Sequence, residues 1–155
     1  MKIYCLSAGV KKLSRLTGQT PLRGIDNNYM PKNKIKILLV EDDSFLLSMY
    51  ATKFEMENFK VVMAEDGEKA VRLALKEAPD IVLLDILLPK ANGFEVLQKL
   101  KANSTTANVP VILLTNLSQK DEIEQGLKMG AEDYLIKAHF MPSEVVDKIK
   151  KILNK

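Results

Sequence analysis

Four short apolar runs recur along this chain, and each is followed at once by residues of distinctive polar chemistry. The runs span residues 37–40, 81–84, 111–114 and 134–136. The residues that follow them are, in order, Glu41 with Asp42, Asp85, Thr115 and Lys137. If the runs are parallel strands of one sheet, these side chains meet at the edge where doubly wound sheets bind their ligands. Three carboxylates, a hydroxyl and an ammonium would there suit a divalent cation and a phosphoryl group.

Helical patterns separate the apolar runs, so strands and helices alternate from Ile35 onward. Apolar residues at helical spacing predict helices over 44–57, 68–78, 94–102 and 120–129. Pro142 marks the first turn of a last helix, and a further strand is predicted over 59–64. Runs that are apolar throughout are typical of parallel strands covered on both faces. The sequence therefore predicts an α/β fold: a doubly wound five-stranded parallel sheet in a (βα)₅, flavodoxin-like three-layer sandwich.

The folded domain is predicted to span residues 34–155, after a basic extension over residues 1–33 that is predicted to be disordered. Residues 1–29 hold five basic side chains and one acidic one, whereas the rest holds 18 basic and 19 acidic groups. The net charge of +3 thus comes from the extension and gives no evidence for a nucleic-acid-binding face on the domain. Met30 could be the true start codon; the functional alternative is a basic docking tail.

Nothing in the sequence predicts export or membrane insertion. No apolar stretch approaches the ~20 residues that span a bilayer. The weakly apolar start, residues 3–10, has no small-residue cleavage site of the signal-peptide type. The single cysteine, Cys5, excludes an intramolecular disulfide and fits a reducing compartment. We therefore expect a cytoplasmic protein without a membrane segment.

The carboxylates at the predicted sheet edge suit a magnesium ion. Mg²⁺ prefers oxygen ligands and usually binds through one or two carboxylates plus a phosphate. Glu41, Asp42 and Asp85 could supply those carboxylates, whereas Asp43 is expected to start the first helix. Because packed carboxylates repel one another, an empty site should raise the pKa of at least one of them. Acids often follow strands simply because loops are polar, so the whole set carries the prediction rather than any one member.

Four segments carry a resemblance to a known family, and they span nearly the whole predicted domain. They are LVEDD at 39–43, DILLPKANG at 85–93, LT at 114–115 and DYLIK at 133–137. Each segment alone is a weak signal, but their order and spacing are specific. Residues 34–155 resemble a response-regulator receiver domain of bacterial two-component systems, of the stand-alone, single-domain type.

The resemblance implies that Asp85 is the phosphoacceptor. It would take a phosphoryl group from a phosphohistidine on a sensor histidine kinase or a histidine phosphotransfer protein. The resemblance also implies a bound Mg²⁺, whose protein ligands would be Glu41, Asp42, Asp85 and the backbone carbonyl of Leu87. Such a chain is not an enzyme in the usual sense, because it catalyses only its own phosphorylation and dephosphorylation.

Three further residues acquire roles from the same resemblance. Lys137 would pair with the phosphoryl oxygens, and the Thr115 hydroxyl would donate to one of them. Thr115 and Tyr134 would then act as the switch: Thr115 moves towards the phosphoryl group and Tyr134 turns inward. The surface formed by the fourth helix, the fifth strand and the fifth helix would change its binding to a downstream protein.

Two positions beside the expected site depart from the family pattern. The family usually has a proline after the lysine, joined by a cis peptide, but here Ala138 follows Lys137. A cis bond before alanine costs about 2.5–4 kcal/mol, so the conformation of this peptide is left open. Asn116 follows Thr115 where a smaller residue is usual, which would narrow access to the phosphorylated carboxylate.

Leu87 and Leu117 stand two residues beyond Asp85 and Thr115, at positions that tune hydrolysis of the acyl phosphate in the family. Neither leucine can orient an attacking water through a hydrogen bond. We therefore expect slow self-dephosphorylation, and Leu117→Asn should shorten the lifetime of the phosphorylated form.

Three competing functions fit the sequence less well. A phosphohydrolase with an aspartyl phosphate needs a second aspartate where Leu87 stands. A receiver-like adaptor that works without phosphorylation should have lost an acid or the lysine. A DNA-binding regulator needs residues beyond the fifth helix, and the sequence ends at Lys155. We therefore expect no DNA-binding domain, a downstream target that is a protein, and a monomer or a phosphorylation-dependent homodimer.

Overall fold

The computed structural model describes residues 33–116 and 120–154. Strands and helices alternate along these ranges as predicted, and each bound that was predicted lies within one residue of its predicted place. The elements are β1 (Lys36–Val40), α1 (Ser44–Met56), β2 (Lys60–Ala64), α2 (Gly67–Glu77), β3 (Ile81–Asp85), α3 (Gly93–Ala102), β4 (Val111–Thr115), α4 (Lys120–Lys128), β5 (Asp133–Ile136) and α5 (Pro142–Leu153).

All five strands form one parallel sheet in the order β2-β1-β3-β4-β5. The register aligns the strand ends, with Val40 opposite Leu84 and Thr115 opposite Ile136. The residues that follow β1, β3, β4 and β5 therefore reach the same edge of the sheet. The predicted doubly wound fold is confirmed, and so is the single edge at which its polar residues meet.

Alternate residues of each strand enter two separate hydrophobic cores. In β1, Ile37 and Leu39 pack with α1 and α5, whereas Leu38 and Val40 pack with α2 and α3 on the other face. The α1–α5 core buries aliphatic and aromatic side chains, whereas the buried side chains of the α2–α3 core are all aliphatic. The sheet is thus the middle layer of three, which explains why its central strands are apolar throughout.

Short polar side chains cap the first three helices. Asp43 caps α1 and accepts a hydrogen bond from the backbone nitrogen of Leu46 at 2.9 Å, as its predicted role requires. Asn92 caps α3 in the same way, accepting from Phe94 at 2.9 Å. These caps fix the loops that leave β1 and β3, and both loops carry candidate site residues.

The predictions for residues 1–32 of the basic extension and for Leu117 lie outside the described ranges. The Lys137–Ala138 peptide is trans, as are the other peptides of the described ranges, and a short 3-10 helix spans Lys137–His139. Over the described residues, the helices are too short or too polar to cross a membrane.

Candidate functional site

Three carboxylates lie together at the carboxyl edge of the sheet. Glu41 and Asp42 directly follow β1, and Asp85 is the last residue of β3, the neighbouring strand. One oxygen from each carboxylate can be chosen so that all three lie within 4.8 Å of one another. Glu41 and Asp85 are buried, whereas Asp42 is exposed. The predicted acidic cluster is therefore present, with one member open to solvent.

Lys137 enters this cluster from the end of β5. Its Nζ donates to Oδ2 of Asp85 at 2.7 Å and also to Oε2 of Glu41. The lysine side chain is only 6% exposed, so both ion pairs are shielded from solvent. The remaining oxygens accept backbone hydrogen bonds, Oδ1 of Asp85 from Leu87 at 3.1 Å and Oε1 of Glu41 from Asp43 at 3.2 Å. Both buried carboxylates are thus held on two sides.

The ionisation of the cluster reflects its burial. Burial raises the pKa of Glu41 above its ordinary value of 4.5, and the charge of Asp85 adds a smaller effect in the same direction, while Lys137 opposes both. The predicted raised carboxyl pKa is confirmed, but its main cause is desolvation rather than repulsion. Burial alone would lower the pKa of Lys137, yet its hydrogen bonds to Asp85 and Glu41 outweigh that effect and raise it.

The two predicted switch residues lie on β4 and β5, the strands that follow β3 in the sheet. Thr115 is buried at the end of β4, one residue beyond the register partner of Asp85, so it is adjacent to the end of β3. Tyr134 is half-buried in β5, and its side chain packs against the core on the α2–α3 side of the sheet. Their movement on phosphorylation stays a prediction.

A cleft of about 280 Å³ opens above the carboxylates. Asp42, Leu87 and Asn116 are exposed on its rim, and Leu87 is 55% exposed. Asp85 and Asn116 both line this cleft. The predicted narrowing of access by Asn116 stays a prediction.

Sequence patterns gave no sign of one contact near the site. The loop from β3 to α3, residues 86–92, is joined to the start of α2 by an ion pair between Lys90 and Asp66 at 2.8 Å. The partners are 24 residues apart, and each residue type is ordinary in a loop. Asp66 could have been recognised from the sequence as the cap of α2, but nothing in the sequence indicated that Lys90 is its partner.

The family of the chain follows from comparison with known proteins. Residues 37–150 match the family model described as response regulator receiver domain. The chain belongs to this family, and the matched region covers nearly all of the sheet and its helices, with the acidic cluster. It is a receiver domain of the two-component type, and receiver domains are signalling domains.

Curated relatives agree with this family. The chain is 42% identical over 120 residues to the transcriptional regulatory protein CpxR of Escherichia coli, covering 77% of this chain and 50% of that protein. It is 37% identical over 120 residues to the DNA-binding dual master transcriptional regulator RpaA of Synechocystis, covering 77% and 49%. The chain spans about half the length of the curated relatives it matches.

These relatives correct the predicted partners. We expected no DNA-binding domain because the sequence ends at Lys155, soon after α5. Proteins similar to this chain are transcriptional regulators about twice as long as the match, and one is named as DNA-binding. The expectation is therefore wrong. Its ground was the end of the sequence soon after α5, and the length of these DNA-binding and transcriptional regulators removes that ground.

A solved structure resembles the fold closely. The receiver domain of sensor histidine kinase PA1611 from Pseudomonas aeruginosa aligns with a TM-score of 0.73 and 28% identity, covering 79% of this chain and 99% of that one. In that structure a magnesium ion is coordinated in the active-site cleft. The acidic cluster of the present chain has the composition to bind a metal ion in its own cleft.

Proposed function

We propose that Asp85 accepts a phosphoryl group from a phosphohistidine on a sensor histidine kinase or a phosphotransfer protein. The observation that carries this proposal is the 2.7 Å contact between Lys137 Nζ and Asp85 Oδ2 below an open cleft. The buried carboxylate of Asp85 thus lines the cleft with the ammonium of Lys137 beside it. On this proposal the domain catalyses only its own phosphorylation and dephosphorylation.

The transfer needs a nucleophile and groups that receive negative charge. A carboxylate oxygen of Asp85 forms the new P–O bond as the P–N bond of the donor breaks, and the electron pair stays on the imidazole nitrogen. Lys137 then pairs with a phosphoryl oxygen, and the Thr115 hydroxyl donates to another. Because the pKa of Lys137 is raised, the lysine remains a cation at neutral pH.

The donor set fits Mg²⁺, the cation we propose for the site. Glu41, Asp42 and Asp85 offer carboxylate oxygens that lie close together, and the Leu87 carbonyl would complete the protein ligands. When bound, the ion neutralises charge on the transferring phosphoryl group. Glu41 also contacts Lys137, so its carboxylate serves the lysine as well as the cation site.

The same proposal assigns the switch to Thr115, Tyr134 and the α4-β5-α5 surface. Within this surface Lys148 joins α5 to β5, because its Nζ lies 2.8 Å from an Asp133 oxygen and 3.4 Å from the Tyr134 carbonyl oxygen. A shift of the β5 backbone at Tyr134 would therefore act directly on α5. The surface would change shape when Asp85 is phosphorylated.

The test is intact mass spectrometry after incubation with Mg²⁺ and phosphoramidate. Wild-type protein should gain the mass of one phosphoryl group, and Asp85→Asn should gain none. Asp42 is exposed and retained in that variant, so it controls for modification of another carboxylate. No gain in the wild type, or an equal gain in the variant, would refute Asp85 as the phosphoacceptor.

The side chain of Leu87 should make the phosphorylated form long-lived. It is exposed on the cleft rim and cannot orient a water molecule for attack. Leu87→Asn should shorten the lifetime roughly tenfold, the effect of one hydrogen bond worth about 1.4 kcal/mol in the transition state. The lifetime is measured from the decay of the phosphorylated mass. Leu75→Asn is the control, because Leu75 is similarly exposed but lies on α2, and it should leave the lifetime unchanged. If Leu87→Asn also leaves the lifetime unchanged, the Leu87 side chain does not set it.

A further inference from the structure

The loop that follows Asp85 contains a strained turn. The backbone nitrogen of Ala91 donates to the carbonyl of Pro89 at 2.8 Å, which closes a three-residue turn centred on Lys90. Lys90 has a φ of 66°, in the left-handed region that a residue with a Cβ rarely adopts. A γ-turn with positive φ at its centre is the rarer and more strained of the two γ-turn forms. Such a turn persists only where its surroundings hold it in place.

The start of α2 provides those surroundings. Oδ2 of Asp66 accepts from Lys90 Nζ at 2.8 Å, while Oδ1 caps α2 by accepting from Lys69 at 2.7 Å. The backbone nitrogen of Gly67 donates to the Pro89 carbonyl at 3.5 Å. A Cβ on Gly67 would lie 2.6 Å from the Ala91 carbonyl oxygen, so the helix and the turn are in direct contact.

The base of the loop is held separately. The backbone nitrogen of Gly93 donates to the Ile86 carbonyl at 2.9 Å, and that of Ile86 donates to Leu114 at 3.3 Å. Those bonds fix both ends of the loop, and the Leu87 nitrogen is held by its donation to Oδ1 of Asp85 at 3.1 Å. The Leu87 carbonyl, by contrast, belongs to the peptide that leads on towards the strained turn. The position of the Leu87 carbonyl therefore depends on where the turn is held.

We propose that the ion pair between Asp66 and Lys90 is a latch that sets the position of the Leu87 carbonyl. Asp66 is then a positioning residue for the cation, although it lies outside the cleft. This inference rests on the proposed function, because it uses the Leu87 carbonyl as a magnesium ligand. The hydrogen bond from Lys90 is also the main reason that the pKa of Asp66 is lowered.

The latch is tested by Mg²⁺ binding to the unphosphorylated protein, measured by isothermal titration calorimetry. Asp66→Asn keeps a good helix cap but loses the ion pair, and Lys90→Met loses the same pair from the other side. Each variant should weaken Mg²⁺ binding by about two- to fivefold, the range of an exposed ion pair. The double variant should bind no more weakly than the weaker single variant, because both remove one interaction.

The sign of each effect separates the latch from plain electrostatics. Asp66→Asn makes the protein more positive and Lys90→Met makes it more negative, so long-range charge alone would move the two affinities in opposite directions. Glu65→Gln is the matched control, since it breaks the neighbouring exposed pair with Lys69 at 2.7 Å without touching the loop. It should change the affinity less than twofold.

Several results would overturn the latch. They are unchanged affinity in both single variants, opposite changes in the two, additive losses in the double variant, or an equal loss in Glu65→Gln. Wild-type protein that does not bind Mg²⁺ would instead refute the proposed cation site, and the latch with it. Melting temperatures show whether a variant is merely less stable, because lower stability alone does not change Mg²⁺ affinity well below the melting temperature.

Discussion

Replacing Lys137 with methionine should destabilise the domain by about 3–5 kcal/mol at pH 7, the usual cost of breaking a buried ion pair from one side. The ammonium contacts both Asp85 and Glu41, and all three side chains are nearly excluded from solvent. Without it, two buried carboxylates face each other unpaired. Urea denaturation followed by circular dichroism measures the change, and an unchanged free energy of unfolding would contradict the argument.

The loss should depend on pH in a defined direction. The folded pKa of Glu41 already exceeds its unfolded value near 4.5, and losing the lysine removes the contacts that lower it. A carboxyl with a raised folded pKa contributes stability that is fully present below the unfolded pKa and is lost as pH rises through the folded pKa. The deficit of Lys137→Met should therefore be small below pH 4.5 and grow as pH rises through the folded pKa. A deficit that is constant with pH would exclude this cause.

Two further variants separate charge from geometry. Lys150→Met breaks an exposed pair with Glu57 at 2.9 Å and should change the free energy of unfolding far less. Lys137→Arg retains the charge but presents a larger, planar group, so it should keep more of the stability. Both Lys137 variants should be phosphorylated on the order of 100-fold more slowly, because the placed cation at Asp85 is lost or displaced. Normal phosphorylation of Lys137→Met would show that the lysine does not serve the transfer.

The strand ends could be predicted because each central strand is apolar on both faces. In a run such as residues 81–84, the first polar residue marks the carboxyl end, so Asp85 had to lie at the sheet edge. Parallel pairing then brought the other strand ends to the same edge. Asp43 was recognisable as a helix cap from its place before an apolar helical pattern. These inferences need only periodicity and local chemistry.

The contact between Lys137 and Glu41 could not be predicted in the same way. The two residues are 96 positions apart, and β3 and β4 separate their strands in the sheet. Only the length of the lysine side chain lets it reach across, and sequence spacing carries no information about that reach. The main cause of the raised Glu41 pKa was missed for a related reason, because it depends on three-dimensional burial.

Gly93→Ala should destabilise the domain by about 2–3 kcal/mol, at the upper end of the cost of overpacking. A Cβ at Gly93 would lie 2.3 Å from the Asp85 carbonyl oxygen and 2.6 Å from the Ile86 Cα. Both are backbone atoms and cannot rotate away. The end of β3 must therefore move, and the phosphoacceptor with it, so phosphorylation should slow as well. Urea denaturation and intact mass spectrometry give the two readouts.

Gly126→Ala is the matched control, because its Cβ would meet a neighbour at a similar distance but of a different kind. The nearest atom is Cδ1 of Leu113 at 2.2 Å, the far end of a side chain that can change rotamer. Alanine also favours the interior of α4 over glycine by about 1 kcal/mol, which offsets the repacking of Leu113. Its free energy of unfolding should stay within about 1 kcal/mol of the wild type. If the two variants are equally stable, contact with backbone at Gly93 does not set the position of Asp85.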